Sequence, residues 1–215
     1  MTALSCLAAI VLLMDVSGSV PDRLYVAQRD GAAGAFADRR LLQAIEAQGV
    51  AVLVAEFDTT VTTRLGWQLL RDADQARDFA EALRALRRSS RDRPTSIGRA
   101  IAHAAAALRD APCVAFRRVI DVATDGFETD RSLPASIARD DAAAEGIVIN
   151  AIAFFGPDDA MIEQLSTEAG LAEAEAWLRE NVATGFVHAA DGLPDFDTAF
   201  RRKVVLEITE SLPAR

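Results

Sequence analysis

Three oxygen-bearing side chains stand at alternate positions near the start of the chain, in the run Asp15-Val16-Ser17-Gly18-Ser19. A carboxylate followed by two hydroxyls at this spacing can turn several oxygens into one small volume, and Gly18 lets the turn be tight. Hard divalent cations take such donors, and Mg²⁺ in particular favours an octahedral oxygen shell in which some waters are kept. The same residue types are ordinary in turns and at helix N-caps, so the run alone reads equally well as a cap. Two distant positions extend it. Thr95 follows Pro94 and is expected to open a helix, while Asp125 follows the apolar run 119–124 and precedes Gly126. Taken singly, Thr95 is an N-cap and Asp125-Gly126 a turn. Taken together with Asp15, they fall at junctions between strands and helices.

Those junctions come from an alternation that runs the length of the chain. Residues 7–14, 50–57, 118–124 and 147–155 are apolar runs of strand length, with a weaker, polar, edge-like strand at 60–67 and a short last strand at 186–189. Between them, 21–48, 74–87, 96–109, 134–145 and 195–209 have helical composition or spacing. Residues 161–181 hold one or two helices, with Gly170 as the expected break. Strands separated by helices call for a mostly parallel sheet covered on both faces. In such sheets ligands gather beyond the carboxyl ends of the strands, near the point where strand order reverses. No repeat or linker divides the chain, so 1–215 is expected to form a single domain.

Bulk properties narrow the function. With 51% hydrophobic residues and a mean hydropathy of +0.13, a substantial core is expected and general disorder is not. The net charge of −9 repels phosphate backbones, and no basic stripe with interleaved aromatics is present, so nucleic-acid binding is disfavoured. The densest basic run, 84–93, is explained by a solvated helix end. A cation, in contrast, is welcome in such a field. Residues 6–14 look like the apolar core of a signal peptide, but no basic segment precedes them and no room for cleavage follows. They are also too short to span a bilayer. A buried central strand is the expectation.

Asp15-x-Ser17-x-Ser19, then Thr95, then Asp125-Gly126 resembles the metal-ion-dependent adhesion site of von Willebrand factor A (VWA) domains. The resemblance covers essentially the whole chain. It implies a Rossmann-like three-layer αβα sandwich whose mostly parallel central sheet carries one antiparallel edge strand. More narrowly, Asp15-Val16-Ser17-Gly18-Ser19-Val20, Arg117-Arg118-Val119-Ile120-Asp121-Val122 and the ending 196–208 resemble a group of predicted exported bacterial proteins of unknown function. One departure is Arg93-Pro94, where many VWA domains have Gly-Gly before the threonine. That departure implies a stiffer loop before Thr95.

By this resemblance, Ser17, Ser19 and Thr95 would offer hydroxyl oxygens to a metal, with Asp15 and Asp125 acting directly or through water. Mg²⁺ is the expected ion, with Mn²⁺ or Ca²⁺ as alternatives. Neutral hydroxyls quench little of a 2+ charge, so the ion stays electrophilic and a carboxylate from a protein partner can complete its shell. The implied activity is non-enzymatic, metal-dependent protein recognition in the periplasm or another extracytoplasmic compartment, any signal peptide having been removed. The alternatives are a degenerate scaffold whose partners dock without metal and, last, a hydrolase or nucleotide-binding protein using the same sheet edge.

The strand order of VWA domains also makes the strands that follow Cys6 and Cys113 neighbours, which makes a Cys6–Cys113 disulfide feasible; two buried free thiols are the alternative. Asp121 lies in an apolar strand and requires a partner, expected to be an Arg or backbone amides rather than a metal. Asp58, Glu128 and Asp130 could form an acidic rim or merely solvate loops. Tyr25 and Gln28 are expected to pack or face solvent. His103 and His188 stand far apart with no carboxylate spacing that suggests a triad, and no H-E-x-x-H, G-x-S-x-G or P-loop pattern occurs.

Overall fold

A computed structural model describes residues 4–90, 93–130, 132–155, 168–191 and 193–209. In chain order these form β1 (Ser5–Asp15), α1 (Asp22–Ala35), α2 (Arg39–Gln48), β2 (Val50–Phe57), β3 (Val61–Leu70), α3 (Ala73–Arg84) and α4 (Ile97–Arg109). There follow β4 (Val114–Thr124), α5 (Ala135–Ala144), β5 (Val148–Phe155), α6 (Glu168–Asn181), β6 (Val187–Asp191) and α7 (Leu193–Thr209). The strands make one sheet in the order β3-β2-β1-β4-β5-β6, with only β3 antiparallel to its neighbour.

Why the central strands read as unbroken apolar runs is clear from their burial. Every residue of β1 from Cys6 to Asp15 and all of β2 are buried, because helices cover both faces. Alternate residues serve separate cores. Ile10, Leu12 and Met14 face the side packed by α1, α2, α3 and α7, and Ala9, Val11 and Leu13 face the side packed by α4, α5 and α6. The edge strand β3 is largely half-exposed, as its polar composition predicts. β1 hands the chain to β2 on one side and pairs with β4 on the other, so strand order reverses between the carboxyl ends of β1 and β4. Asp15 ends β1, and Asp125 directly follows β4.

Several boundaries differ from the sequence expectation. The helix expected over 21–48 is two: the chain turns at Phe36-Ala37, and Asp38 caps α2 by accepting from Arg40 N at 2.8 Å. The expected break at Gly170 is absent, since α6 runs through that residue; positions 161–167 lie outside the described residues. Thr95 does not open a helix. Helix α4 starts at Ile97, with Ser96 at its N-cap position, and Thr95 lies in the loop before it. Gly98 in its first turn is required by close approach, for a Cβ there would lie 2.0 Å from the Leu133 carbonyl oxygen. At the opposite end of the sheet, Cys6 and Cys113 form a disulfide with Cα atoms 5.8 Å apart.

Candidate metal centre

The turn after β1 is built around the Asp15 carboxylate. Ser17 N donates to Asp15 Oδ1 at 2.8 Å, closing the chain over the end of its own strand, and Thr124 Oγ1 donates to Oδ2 at 2.6 Å from the neighbouring strand. The hydroxyls of Ser17 and Ser19 lie 3.2 Å apart, and Ser19 Oγ donates to Asp125 Oδ1 at 3.0 Å. Asp15, Ser17, Ser19 and Asp125 thus share one hydrogen-bonded cluster at the switch point. Thr95 is buried in the adjoining loop, but its hydroxyl takes no part in those bonds. Its backbone fixes it instead: Thr95 N donates to Thr129 Oγ1 at 2.8 Å, and its carbonyl accepts from Thr129 N and Asp130 N. Gly18 N donates to the Arg93 carbonyl at 2.9 Å, which ties this loop to the Asp15 turn.

Electrostatics sets these two carboxyls apart. Burial pushes Asp15 above the usual carboxylate range, against the hydrogen bonds from Ser17 and Thr124 and the attraction of Arg88. Asp125 is pushed up to about 8, first by burial and then by the charge of Asp15. Its Oδ2 is buried and meets no donor among the described residues. Arg88, the nearby cation, is spent on the loop: it donates to the carbonyls of Val16, Ser17 and Val20 at 3.0, 2.7 and 2.6 Å and to Asp22 Oδ1 at 3.2 Å.

Other acidic residues are structural. Glu128 accepts from Gly98 N and Ala135 N, capping α4 and α5 at once. Asp58 accepts from Thr60 N and Oγ1, and its carbonyl accepts from Ser96 N. Asp130 accepts from Ser132 N. Tyr25 is buried and donates to Glu56 at 2.7 Å, and buried Gln28 donates to the Asp15 carbonyl at 3.1 Å. Asp121 does have a buried partner, but it is Lys203 of α7, not an arginine. Sequence reasoning missed Thr124 and Arg88. A hydroxyl directly before Asp125 was a usable signal. Arg88 sat in a run read as a solvated helix end, whereas its side chain is only 5% exposed.

Among the described residues no three His, Cys, Asp or Glu side chains gather as a metal cluster. The donor set here has two carboxylates and neutral hydroxyls, which suits a hard cation that keeps part of its water shell. An orphaned carboxylate oxygen beside a second buried carboxylate is the environment a cation would relieve.

Residues 5–212 match the family described as protein of unknown function DUF1194. The chain belongs to that family. No curated protein sequence matches this DUF1194 chain. Among solved structures, proximal thread matrix protein 1 from the mussel byssus superposes with a TM-score of 0.69 at 16% identity, over 96% of this chain and 49% of that one. A form of the same protein described as having a zinc-occupied MIDAS motif gives 0.61 at 17% identity, over 97% and 47%. The von Willebrand factor type A protein from Catenulispora acidiphila gives 0.63 at 18% identity, over 95% and 43%. The pilus adhesin SpaC from Lactobacillus rhamnosus GG gives 0.67 at 14%, over 95% and 31%. The DUF1194 chain therefore has the VWA fold and spans less than half the length of each of these proteins.

Proposed function

We propose that this DUF1194 chain is a binding module that holds one divalent cation at the carboxyl edge of its sheet and presents it to a protein partner. Ser17 and Ser19 would hold the ion, with Asp15, Thr95 and Asp125 directly or through water, and the ion would supply an electrophilic position for a partner's carboxylate. The observation that carries this reading is Asp125: buried beside Asp15, with one oxygen that meets no donor. Mg²⁺ suits the all-oxygen set best, and Mn²⁺ and Ca²⁺ are the alternatives. The relative described with zinc in its MIDAS motif supports divalent binding by this fold. The reading assigns no reaction to the site, and His103 is engaged with Thr63. The Cys6–Cys113 bridge, together with the pilus and byssus settings of the structural relatives, supports a place outside the cytoplasm.

One observation favours a second reading. The Ser17 and Ser19 hydroxyls and one oxygen of Asp125 are already linked by hydrogen bonds, so the cluster can brace the loops of a scaffold whose partners dock without metal. Calorimetry with Mg²⁺, Mn²⁺ and Ca²⁺ separates the two. The binding reading expects heat of binding in the wild type that Asp15→Ala abolishes; no binding at millimolar metal, with an intact fold, favours the scaffold.

A further inference from the structure

Two of the three stretches that carry the narrower family resemblance, 117–122 and 196–208, meet in space through Asp121 of one and Lys203 and Glu207 of the other. Their meeting point is ionic and dry. Lys203 Nζ donates to Asp121 Oδ1 and, at 2.7 Å, to Glu207 Oε1, and all three side chains are at most 1% exposed. Phe186 and Phe200 flank the amine, with ring centroids 5.9 and 5.8 Å away. Removing three ionisable groups from water is costly, and apolar side chains of the same volume often serve stability as well or better. Stability alone is therefore a weak reason for their being there.

We propose that Lys203 and Asp121 are the two halves of a self-formed amide cross-link between α7 and β4, with Glu207 as the proton shuttle. The amine is held against the carboxyl by packing, so the encounter that makes amide formation slow in solution is already complete. The proton count also fits. Burial, and then the charge of Asp121, push the Glu207 carboxyl well above the usual range, which favours its protonated form. Asp121 Oδ2 and Glu207 Oε2 are both buried and meet no donor among the described residues, and a proton on one supplies the other. Burial pulls the Lys203 amine down, but its acidic neighbours Asp121 and Glu207 outweigh that and hold it above its usual range.

The step balances without a further reactant. A proton passes from Lys203 to the Asp121 carboxylate, leaving a neutral amine and a neutral acid, the form that a low-dielectric site tolerates. The Nζ lone pair attacks Asp121 Cγ, forming the N–C bond. Glu207 gives its proton to the departing hydroxyl and takes one from Nζ; the C–O bond breaks and one water leaves. An ammonium and a carboxylate become an amide, and Glu207 ends as it began. The same burial that drives the reaction keeps water from reversing it.

Intact mass spectrometry of the purified, reduced chain tests this. The expected wild-type mass is lower than the sequence mass by one water, and a tryptic digest yields residues 119–131 joined to residues 203–215. Glu207→Gln restores the full mass. A wild-type chain at full mass overturns the proposal, as does a water lost within 203–215 alone, which would be a Lys203–Glu207 lactam. A deficit that survives Glu207→Gln overturns the role given to Glu207.

Discussion

Thr124 donates its hydroxyl to Asp15 Oδ2 at 2.6 Å, so the carboxylate that ends β1 is held by the residue just before the carboxylate that follows β4. Two neighbouring parallel strands thereby fix one acidic pair at the reversal of strand order. Thr124→Val keeps the shape and removes the donor, leaving Asp15 Oδ2 buried without one. It should cost about 1–3 kcal/mol of stability and weaken divalent-metal binding about 10–100-fold. Denaturant melts and calorimetry on the same preparations read both.

Arg88 gathers the carbonyls of Val16, Ser17 and Val20 and so holds the turn that presents both serines. Arg88→Met leaves the aliphatic stem but no donors. Loss of about 1.5–3 kcal/mol is expected, the range for hydrogen bonds to a charged group. Amide exchange should rise at residues 16–20 before it rises in β1.

The two histidines give the chain a predictable acid response. Burial lowers the pKa of both His103 and His188. The folded chain therefore binds these protons less readily than the unfolded chain. Their contribution is fully present above the unfolded pKa of about 6.5 and is lost as pH falls through it toward the folded values. His103→Asn with His188→Asn should flatten the fall in unfolding free energy between about pH 7.5 and 5.5, measured by urea titration. An unchanged slope would assign that fall to other groups.

The Cys6–Cys113 bridge spans 107 residues and joins the entry points of the two central strands. Replacing both cysteines with serine should lower stability by about 2–5 kcal/mol, through the entropy returned to the unfolded chain. Matched urea melts of the variant and the oxidised wild type measure it.

Much of this was legible in the residues themselves, for a physical reason. Buried parallel strands must be apolar on both faces, so β1, β2, β4 and β5 announce themselves, and the polar edge strand β3 stands out by contrast. Asp15 and Asp125 could be placed together because parallel strands point their carboxyl ends to one edge. What stayed hidden was a single local cap in one case and tertiary reach in the others. Helices α1 and α2 share one alanine-rich composition, and only the Asp38 cap divides them. Arg88 looks like its solvated neighbours until its side chain is traced back to the Asp15 turn. Lys203 looks like an exposed helical lysine until α7 is laid over Asp121. No local pattern distinguishes Arg88 or Lys203, since each is decided by a distant partner: 71 positions for Arg88 to Ser17 and 82 for Lys203 to Asp121.

The central claim concerns a cation at one edge of the sheet, and anomalous diffraction from crystals grown in Mn²⁺ tests it most directly. The account predicts a single strong anomalous peak among Asp15, Ser17, Ser19, Thr95 and Asp125, absent from Asp15→Ala crystals. No peak at that edge in millimolar Mn²⁺, or a peak bound elsewhere on the chain, would contradict it.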